Sequence, residues 1–210
     1  MIAIVDYGMG NLRSVQKGLE KVGYSAFVTN QPKQVVAAKG VILPGVGAFG
    51  DAMQNLRRTG LDAALKEVVA FKKPLLGICL GLQLIFEGSE ENGWHEGLGL
   101  MPGRVVRLPE GEGRKIPHMG WNQLNRCREE PVLKDIPEGT YYYFVHSYYA
   151  KTEDSSLIAA TADYGVPVPA VVSRDNLIGI QFHPEKSSAF GLKILRNYGE
   201  LVDNADNPGD

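Results

Sequence analysis

The sequence is poor in cysteine and has no long hydrophobic run. Its two cysteines, Cys79 and Cys127, cannot form a disulfide framework or complete a four-cysteine zinc site. The longest apolar stretch, Leu75–Leu80, is far shorter than the ~20 residues of a membrane-spanning helix. The N-terminal segment MIAIVDYG has no basic residue ahead of its apolar run, so it predicts a first β-strand rather than a signal peptide. We therefore expect a cytoplasmic protein, in a reducing compartment, with no membrane association.

An excess of positive charge is also lacking. The chain has 22 lysines and arginines against 24 acidic residues, which gives a formal net charge of −2. Binding to nucleic acid depends on clustered basic residues that neutralise phosphates, so we expect no nucleic-acid partner. Hydrophobic residues make up 44% of the 210 positions and charged residues 22%. This composition is ordinary for a globular chain and excludes an intrinsically disordered one.

Glycine, by contrast, is abundant. It accounts for 25 of the 210 residues, about 12%, whereas average usage is about 7%. The first half has four apolar runs that fit strands, and glycine turns close the first and the third. Those runs are Ile2–Val5, Tyr24–Val28, Gly40–Leu43 and Leu75–Ile78. Helical spacing of apolar residues predicts helices over 12–22 and 61–68, and a short helix over 80–86. Strands that alternate with helices imply βαβ units and a parallel sheet.

The second half has closely spaced strand patterns and one final helix. The predicted strands are Val105–Leu108, Thr140–Tyr149, Leu157–Ala160, Ala170–Ser173 and Leu177–Phe182. We therefore predict an α/β fold of the doubly wound, flavodoxin-like type. It has a mostly parallel central sheet and an antiparallel extension in the second half. Residues 1–202 are predicted to form a single domain, followed by a disordered polar tail at 203–210.

The strongest local motif is the pentapeptide Gly77-Ile78-Cys79-Leu80-Gly81, at the junction of a buried strand and a helix. It matches the nucleophile-elbow pattern, in which a sharp turn lifts the nucleophile out of the strand end. The N-terminus of the following helix favours a negatively charged thiolate. The alternative is a structural cysteine between packing glycines, because free cysteine is among the most buried residue types.

A second motif, His183-Pro184-Glu185, follows an apolar strand. In an extended segment the side chains of His183 and Glu185 face the same side. The carboxylate can then hold the imidazole in one tautomer, as the base of a nucleophilic catalyst requires. A solvated loop is the alternative for the tripeptide alone. Together the two motifs supply nucleophile, base and orienting acid, each at the carboxyl end of a strand, where α/β sheets place their ligands.

A third glycine turn, Pro44-Gly45-Val46-Gly47, also ends a predicted strand. The backbone N–H groups of Val46 and Leu80 are candidates to bind an oxyanion, since an oxyanion hole commonly includes the residue after the nucleophile. An ordinary strand-to-helix turn is the alternative for Val46.

These three motifs resemble those of class I, triad-type glutamine amidotransferases. Further segments resemble, within that class, the glutaminase subunits of imidazole glycerol phosphate synthases. The resemblance covers residues 2 to about 201. The segments that carry it are Val5–Ser14 (VDYGMGNLRS), Pro44–Met53 (PGVGAFGDAM), Gly77–Leu84 (GICLGLQL), Pro117–Asn122 (PHMGWN), Tyr143–Tyr148 (YFVHSY) and Gly179–Ser187 (GIQFHPEKS).

The resemblance implies hydrolysis of glutamine to glutamate and ammonia. Cys79 would attack the side-chain amide and form a thioester, His183 would transfer protons, and Glu185 would orient His183. The resemblance implies neither a metal nor a cofactor. The residues that it places around the substrate are Gly47, Gln83, His146, Ser147 and Tyr148. The alternatives are a solvated helix position for Gln83 and a merely hydrogen-bonded strand histidine for His146.

The family also implies a protein partner. The chain is too short to hold an acceptor domain, and family members pair with a (β/α)₈-barrel cyclase that uses the ammonia to make imidazole glycerol phosphate and AICAR in histidine biosynthesis. Because ammonia must pass between the two proteins, we expect the heterodimer interface at the mouth of the active site. The candidate interface residues are Asn11, Ser14, Met119, Trp121 and Lys186. No role is assigned to Cys127.

Three other functions remain open at this point. The chain could be the glutaminase of another pathway, a cysteine hydrolase or peptidase of the same fold, or a catalytically silent binding subunit. The opening segment and the Pro117–Asn122 segment argue against another pathway. The presence of all three triad residues argues against a silent subunit.

Overall fold

The computed structural model describes residues 1–111 and 114–206. Its first half alternates strands with helices, as predicted. The elements are β1 (Ile2–Val5), α1 (Leu12–Lys21), β2 (Ala26–Thr29), α2 (Pro32–Ala37), β3 (Gly40–Gly45), α3 (Phe49–Thr59), α4 (Leu61–Ala70), β4 (Leu75–Cys79) and α5 (Leu80–Leu84). The helices α2 and α3 are additions to the predicted set. Residues Phe49, Ala52, Met53 and Leu56 form the buried face of α3 at helical spacing.

The second half is built mainly from strands. They are β5 (Phe86–Ser89), β6 (His95–Glu96), β7 (Met101–Arg107), β8 (His118–Gln123), β9 (Asn125–Arg126), β10 (Tyr141–His146), β11 (Tyr148–Lys151), β12 (Ile158–Asp163), β13 (Pro167–Arg174) and β14 (Leu177–Ile180). Short 3₁₀ helices occupy Pro131–Leu133, Ser155–Leu157 and Pro184–Lys186, and α6 (Ser188–Asp206) ends the described chain.

The central sheet has eight strands in the order β2-β1-β3-β4-β14-β13-β12-β9. Neighbouring strands from β2 to β14 run parallel, whereas β13, β12 and β9 extend the sheet antiparallel. This confirms the predicted α/β fold with its antiparallel extension. The carboxyl ends of β3, β4 and β14 lie side by side, so the turns that follow them meet at one edge of the sheet.

Both faces of the sheet are covered, which explains why its parallel strands are apolar throughout. Along β1, Ile2 and Ile4 pack in the cluster that also holds α1 and α6 residues, while Ala3 and Val5 pack with α3 and α4 on the opposite face. Within the described residues, no helix is both long and apolar enough to cross a lipid bilayer.

The predicted single strand 140–149 is wrong in one respect, because the chain changes sheet at Ser147. Strand β10 pairs with β8 in a two-stranded sheet, whereas β11 pairs with β7 in a separate four-stranded sheet. The backbone N–H of Leu108 donates to the carbonyl of Ser147 at this break. Local strand propensity is the same on both sides of the break, so only the pairing partners divide the segment.

The last helix extends further than predicted, into the segment expected to be a disordered tail. The last helix continues to Asp206, so residues 203–206 are helical. Residues 207–210, the rest of the predicted tail, lie outside the described residues. The buried side of this helix, with Ile194, Leu195 and Tyr198, anchors it against the sheet.

Candidate active site

A cavity of about 360 Å³ lies at the carboxyl edge of the central sheet. Most of the residues predicted for catalysis, oxyanion binding and substrate binding line it, although they come from distant parts of the chain. The lining residues are Val46, Gly47, Cys79, Leu80, Gln83, Glu91, Pro117, Val145, His146, Ser147, Tyr148 and His183. The only predicted member of these groups that does not line the cavity is Glu185, which lies behind His183.

Cys79 occupies a strained turn between β4 and α5. Its backbone has φ +55° and ψ −109°, a conformation that side-chain-bearing residues rarely adopt. The flanking glycines allow the close packing that this turn needs. A Cβ on Gly81 would lie 1.8 Å from the carbonyl oxygen of Leu43, and one on Gly77 would lie 2.6 Å from that of Gly81. The pentapeptide therefore forms the predicted elbow, with the thiol facing the cavity.

His183 and Glu185 form a buried ion pair beside this thiol. The Nδ1 of His183 lies 2.9 Å from Oε1 of Glu185, and both side chains are almost fully buried. The backbone N–H of His183 donates to the carbonyl of Tyr143, which fixes the start of the 3₁₀ turn that carries Glu185. In the described part of the chain, Nε2 of His183 has no hydrogen bond of standard geometry, so it is available to the cavity.

The charge of His183 is set by these neighbours. Burial by itself would lower the pKa of His183, but interactions with Cys79 and Glu185 outweigh burial and raise the pKa to about 10. The imidazole is therefore cationic at neutral pH. A cationic imidazole beside a thiol is the arrangement of an activated cysteine nucleophile.

The two candidate oxyanion donors lie next to the elbow. Gly45, the last residue of β3, pairs with Cys79 across the sheet, so the turn Val46–Gly47 is adjacent to Leu80. Val46 is partly exposed, and Gly47 has φ +101°, a conformation suited to glycine. Both turns line one cavity, which is the arrangement that paired oxyanion donors require.

The predicted substrate residues form a connected network rather than a set of free side chains. Gln83 is buried, and its Nε2 donates to the carbonyl of Tyr148 at 2.8 Å. The same carbonyl lies 2.9 Å from Nδ1 of His146, whose Nε2 lies 2.9 Å from Nδ1 of His118. Both ring nitrogens of His146 are thus used within the protein, so this side chain shapes the wall of the cavity.

His118 continues this network away from the cavity. Its ring is stacked between Phe144 and Tyr164, and its Nε2 lies 3.2 Å from Nδ2 of Asn122. Burial lowers the pKa of His118 to about 4 and that of His146 to about 3. Both imidazoles are therefore neutral at physiological pH, unlike His183.

Glu91 is a cavity residue that the sequence did not reveal. It lies between β5 and β6, and its carboxylate accepts a 2.8 Å hydrogen bond from the backbone N–H of Phe49 at the start of α3. It was hidden within an acidic stretch whose other members are mostly solvated. The signal that could have found it is its place in the chain, in the loop that follows the elbow helix α5 and the short strand β5.

None of the candidate interface residues lines the cavity. Asn11 and Ser14 are half-buried at the start of α1, and Lys186 is exposed beside the ring of Tyr143. On β8, Met119 is 62% and Trp121 is 52% exposed, so neither is a core residue. Cys127 is exposed on the far edge of the sheet and is a free thiol.

This fold and site define a class of protein. The sequence model of the family "Glutamine amidotransferase class-I" matches residues 3–199, and the chain therefore belongs to the class I glutamine amidotransferases. The resemblance predicted from the motifs is confirmed. Among solved structures, a glutamine amidotransferase matches with a TM-score of 0.75 at 18% identity, covering 97% of this chain and 100% of that one. The structure of PurLQS from Thermotoga maritima matches with a TM-score of 0.74 at 19% identity, covering 97% of both chains.

Curated relatives narrow the class to one kind of subunit. Imidazole glycerol phosphate synthase subunit HisH of Desulfitobacterium hafniense (strain DSM 10664 / DCB-2) is 56% identical over 202 residues, which cover 96% of this chain and 95% of the relative. The protein of the same name from Moorella thermoacetica is 55% identical over 208 residues, covering 99% and 98%.

Proposed function

We propose that this chain is the glutaminase subunit of an imidazole glycerol phosphate synthase and supplies ammonia for histidine biosynthesis. The observation that carries the proposal is the strained elbow of Cys79, which shares a cavity with His183, the buried partner of Glu185. Relatives that bear this subunit name match over nearly the whole chain and support the pathway. A cytoplasmic location fits a nucleophilic thiol, which a reducing compartment keeps free.

The proposed reaction has two stages. In the first, the thiolate of Cys79 attacks the amide carbon of glutamine, and His183 gives its Nε2 proton to the departing ammonia. This leaves a γ-glutamyl thioester on Cys79. In the second, His183 takes a proton from water, the water oxygen attacks the thioester, and the sulfur leaves as thiolate to release glutamate.

Glu185 is proposed to act through His183. Its carboxylate accepts from Nδ1 and so keeps Nε2 directed at the cavity, and its charge stabilises the imidazolium. The N–H groups of Val46 and Leu80 are proposed to stabilise the tetrahedral oxyanion of each stage. Removal of one such donor typically costs about 10²–10³-fold in turnover.

The substrate itself is recognised by charge as well as shape. Glu91 is an acidic residue of the cavity lining, and its carboxylate suits the α-ammonium group of glutamine. Gln83 and residues 146–148 form the remaining wall. Because the ring nitrogens of His146 are already bonded, we propose that this segment contacts glutamine through its backbone.

The partner is proposed to dock on the outer face of the β8–β10 pair. Cross-strand pairs on this face are Met119–Val145 and Trp121–Tyr143. The ring centroids of Trp121 and Tyr143 lie 6.2 Å apart. An exposed patch of methionine and aromatic side chains is typical of a protein interface. Val145 also lines the catalytic cavity, so ammonia released there would emerge beside the bound partner.

The proposed partner is a cyclase subunit with a (β/α)₈ barrel, which forms a heterodimer with this chain. The remaining interface candidates, Asn11, Ser14 and Lys186, would widen the contact around the mouth of the cavity. We expect glutamine hydrolysis to be slow in the free subunit and to rise when the partner holds its nucleotide substrate, because unregulated hydrolysis would waste glutamine.

The decisive test is glutamate release from glutamine by the purified chain, alone and with the loaded cyclase. We expect strong stimulation by the loaded partner and no activity in Cys79→Ala. The matched control is Cys127→Ala, which removes the exposed thiol and should behave as wild type. Hydrolysis that ignores the partner would indicate another glutaminase, and no release in any mixture would indicate a silent subunit or a different hydrolase.

A further inference from the structure

Gln181 is a fully buried polar residue at the end of an apolar strand. It follows β14 directly, two residues before His183, and none of its surface is exposed. Its side-chain Nε2 lies 3.7 Å from the sulfur of Cys79, within the range of a hydrogen bond to sulfur. A buried amide whose donor contacts the nucleophile calls for a chemical explanation, because burial of a polar group is costly unless its hydrogen bonds are made.

The orientation of this amide follows from a chain of hydrogen bonds that begins at the Tyr148 carbonyl. A carbonyl oxygen can only accept, so Gln83 must present its Nε2 to Tyr148. That same Nε2 lies 3.1 Å from the side chain of Gln181, which must therefore present Oε1 to Gln83. The N–H group of Gln181 is left facing the sulfur of Cys79.

We infer that Gln181 is a further catalytic residue, whose side-chain N–H stabilises the thiolate form of Cys79. This inference rests on the proposed function, which requires that thiolate twice. The thiolate attacks glutamine in the first stage, and in the second the C–S bond breaks and the sulfur leaves as thiolate. A fixed N–H donor assists both steps, because its hydrogen bond is strongest when the sulfur carries negative charge.

The other contact of the sulfur strengthens this assignment. The thiol can donate to the carbonyl of Val145 at 3.9 Å, but that contact is lost when the proton leaves. The contact with Gln181 remains and becomes charge-assisted. The N–H of Gln181 thus stabilises the ionised sulfur more than the neutral one, whereas the carbonyl of Val145 stabilises the neutral thiol.

The test measures the reactivity of Cys79 directly, without glutamine. In a Cys127→Ala background, carboxamidomethylation by iodoacetamide reports Cys79 alone. Gln181→Met keeps the length of the side chain but cannot donate. We expect its alkylation rate at neutral pH to fall about fivefold to tenfold. A hydrogen bond to a charged acceptor changes thiolate content by about 10–100-fold, and the greater nucleophilicity of a less stabilised thiolate offsets part of this loss.

A matched control separates this effect from a general loss of packing. Asn197 is also a buried amide, and its Nδ2 donates to the carbonyls of Val132 and Lys134, away from the cavity. Asn197→Leu should lower the free energy of unfolding without changing the alkylation rate. An unchanged rate in folded Gln181→Met, or equal slowing in Asn197→Leu, would overturn the inference.

A second variant covers the case in which Gln181→Met does not fold. Gln181→Glu keeps the shape of the side chain and replaces the donor with a carboxylate oxygen, so it should slow alkylation at least as much. Glutamate release with the loaded partner is measured in parallel. If the wild-type pair releases none, the proposed function fails, while alkylation still decides the role of Gln181. Lost turnover with unchanged alkylation would make Gln181 a structural residue only.

Discussion

Buried histidines in opposite charge states lie at and behind two walls of one cavity. On the catalytic wall, His183 is paired with a carboxylate and a thiol, which raise its pKa to about 10. On the wall formed by the end of β10, His146 contacts a carbonyl and His118, which lies behind it and contacts an amide. Burial lowers the pKa values of His118 and His146 to about 4 and 3. Burial is common to all three, so it does not by itself decide the charge.

The difference follows from what each imidazole contacts. Negatively charged partners offset the free-energy cost of removing a cation from water, whereas neutral partners do not. The cavity thus has a charged wall suited to proton transfer and a wall with neutral imidazoles. The hydrogen bonds of the neutral imidazoles lead from the Asn122 amide through His118 and His146 to the carbonyl of Tyr148. The outer side of the neutral wall is the proposed partner surface.

The largest expected effect comes from removal of the charge behind His183. Glu185→Gln keeps the shape of the side chain, but it can no longer stabilise the imidazolium. We expect kcat for glutamate release to fall by about 10³–10⁴-fold. The control is Glu130→Gln, a buried carboxylate that pairs with Arg128 away from the cavity. It should lower stability and leave kcat alone. A near-normal kcat for Glu185→Gln would show that the carboxylate does not set the charge of this wall.

The second prediction concerns the protonation of His183 itself. Ring nitrogen chemical shifts should show a cationic His183 well above pH 6.5, with a midpoint at about 10. Cys79→Ala removes one of the groups that raise this pKa, so the midpoint should fall by about 1–3 pH units. The raised pKa stabilises the fold fully below pH 6.5, and this contribution is lost as the pH rises through about 10. An unchanged midpoint in Cys79→Ala would contradict the pairing with sulfur.

The outer side of the neutral wall is tested by Trp121→Asp. A charge in the centre of the proposed interface should weaken binding of the cyclase by about 10–100-fold, measured by calorimetry, and lower coupled turnover. Trp94→Asp is the matched control, because Trp94 is similarly exposed at 57% but lies between β5 and β6, in a pocket that it shares with residues of β5 and β7. If Trp121→Asp leaves both affinity and coupled turnover unchanged, Trp121 is not an interface residue.

The smallest expected effect is on acid stability. Because the folded protein keeps His118 and His146 neutral, the unfolded chain binds protons first, and stability is lost as the pH falls from 6.5 towards 4 and 3. His118→Phe preserves an aromatic ring between Phe144 and Tyr164. It should be less stable at pH 7 by about 1–2 kcal/mol. Its further loss on acidification, followed by urea unfolding, should be smaller than that of wild type. A steeper acid loss in the variant would contradict the neutral pair.

Much of the fold could be predicted because local patterns carry it. Parallel strands covered on both faces are apolar throughout, which located β1, β3, β4 and β14. The division of 140–149 between two sheets could not be predicted, since strand-favouring residues stand on both sides of Ser147. Its carbonyl accepts from Leu108, a residue that pairing brings there.

The candidate site divides in the same way. The sequence by itself determined the elbow. So sharp a turn after a strand needs small residues around the nucleophile, and Gly77 and Gly81 flank Cys79. It also indicated the His183–Glu185 pair, although the extended tripeptide expected there is wrong. Pro184–Lys186 form a 3₁₀ turn, and this turn brings the carboxylate of Glu185 to His183. Only the tertiary structure decided which other groups meet the nucleophile. Gln181 contacts the sulfur of Cys79 although the two residues are 102 positions apart in the sequence. Glu91 lines the cavity from a loop. The physical reason is that such contacts depend on strand order, register and the direction of hydrogen bonds between distant segments, none of which a local pattern records.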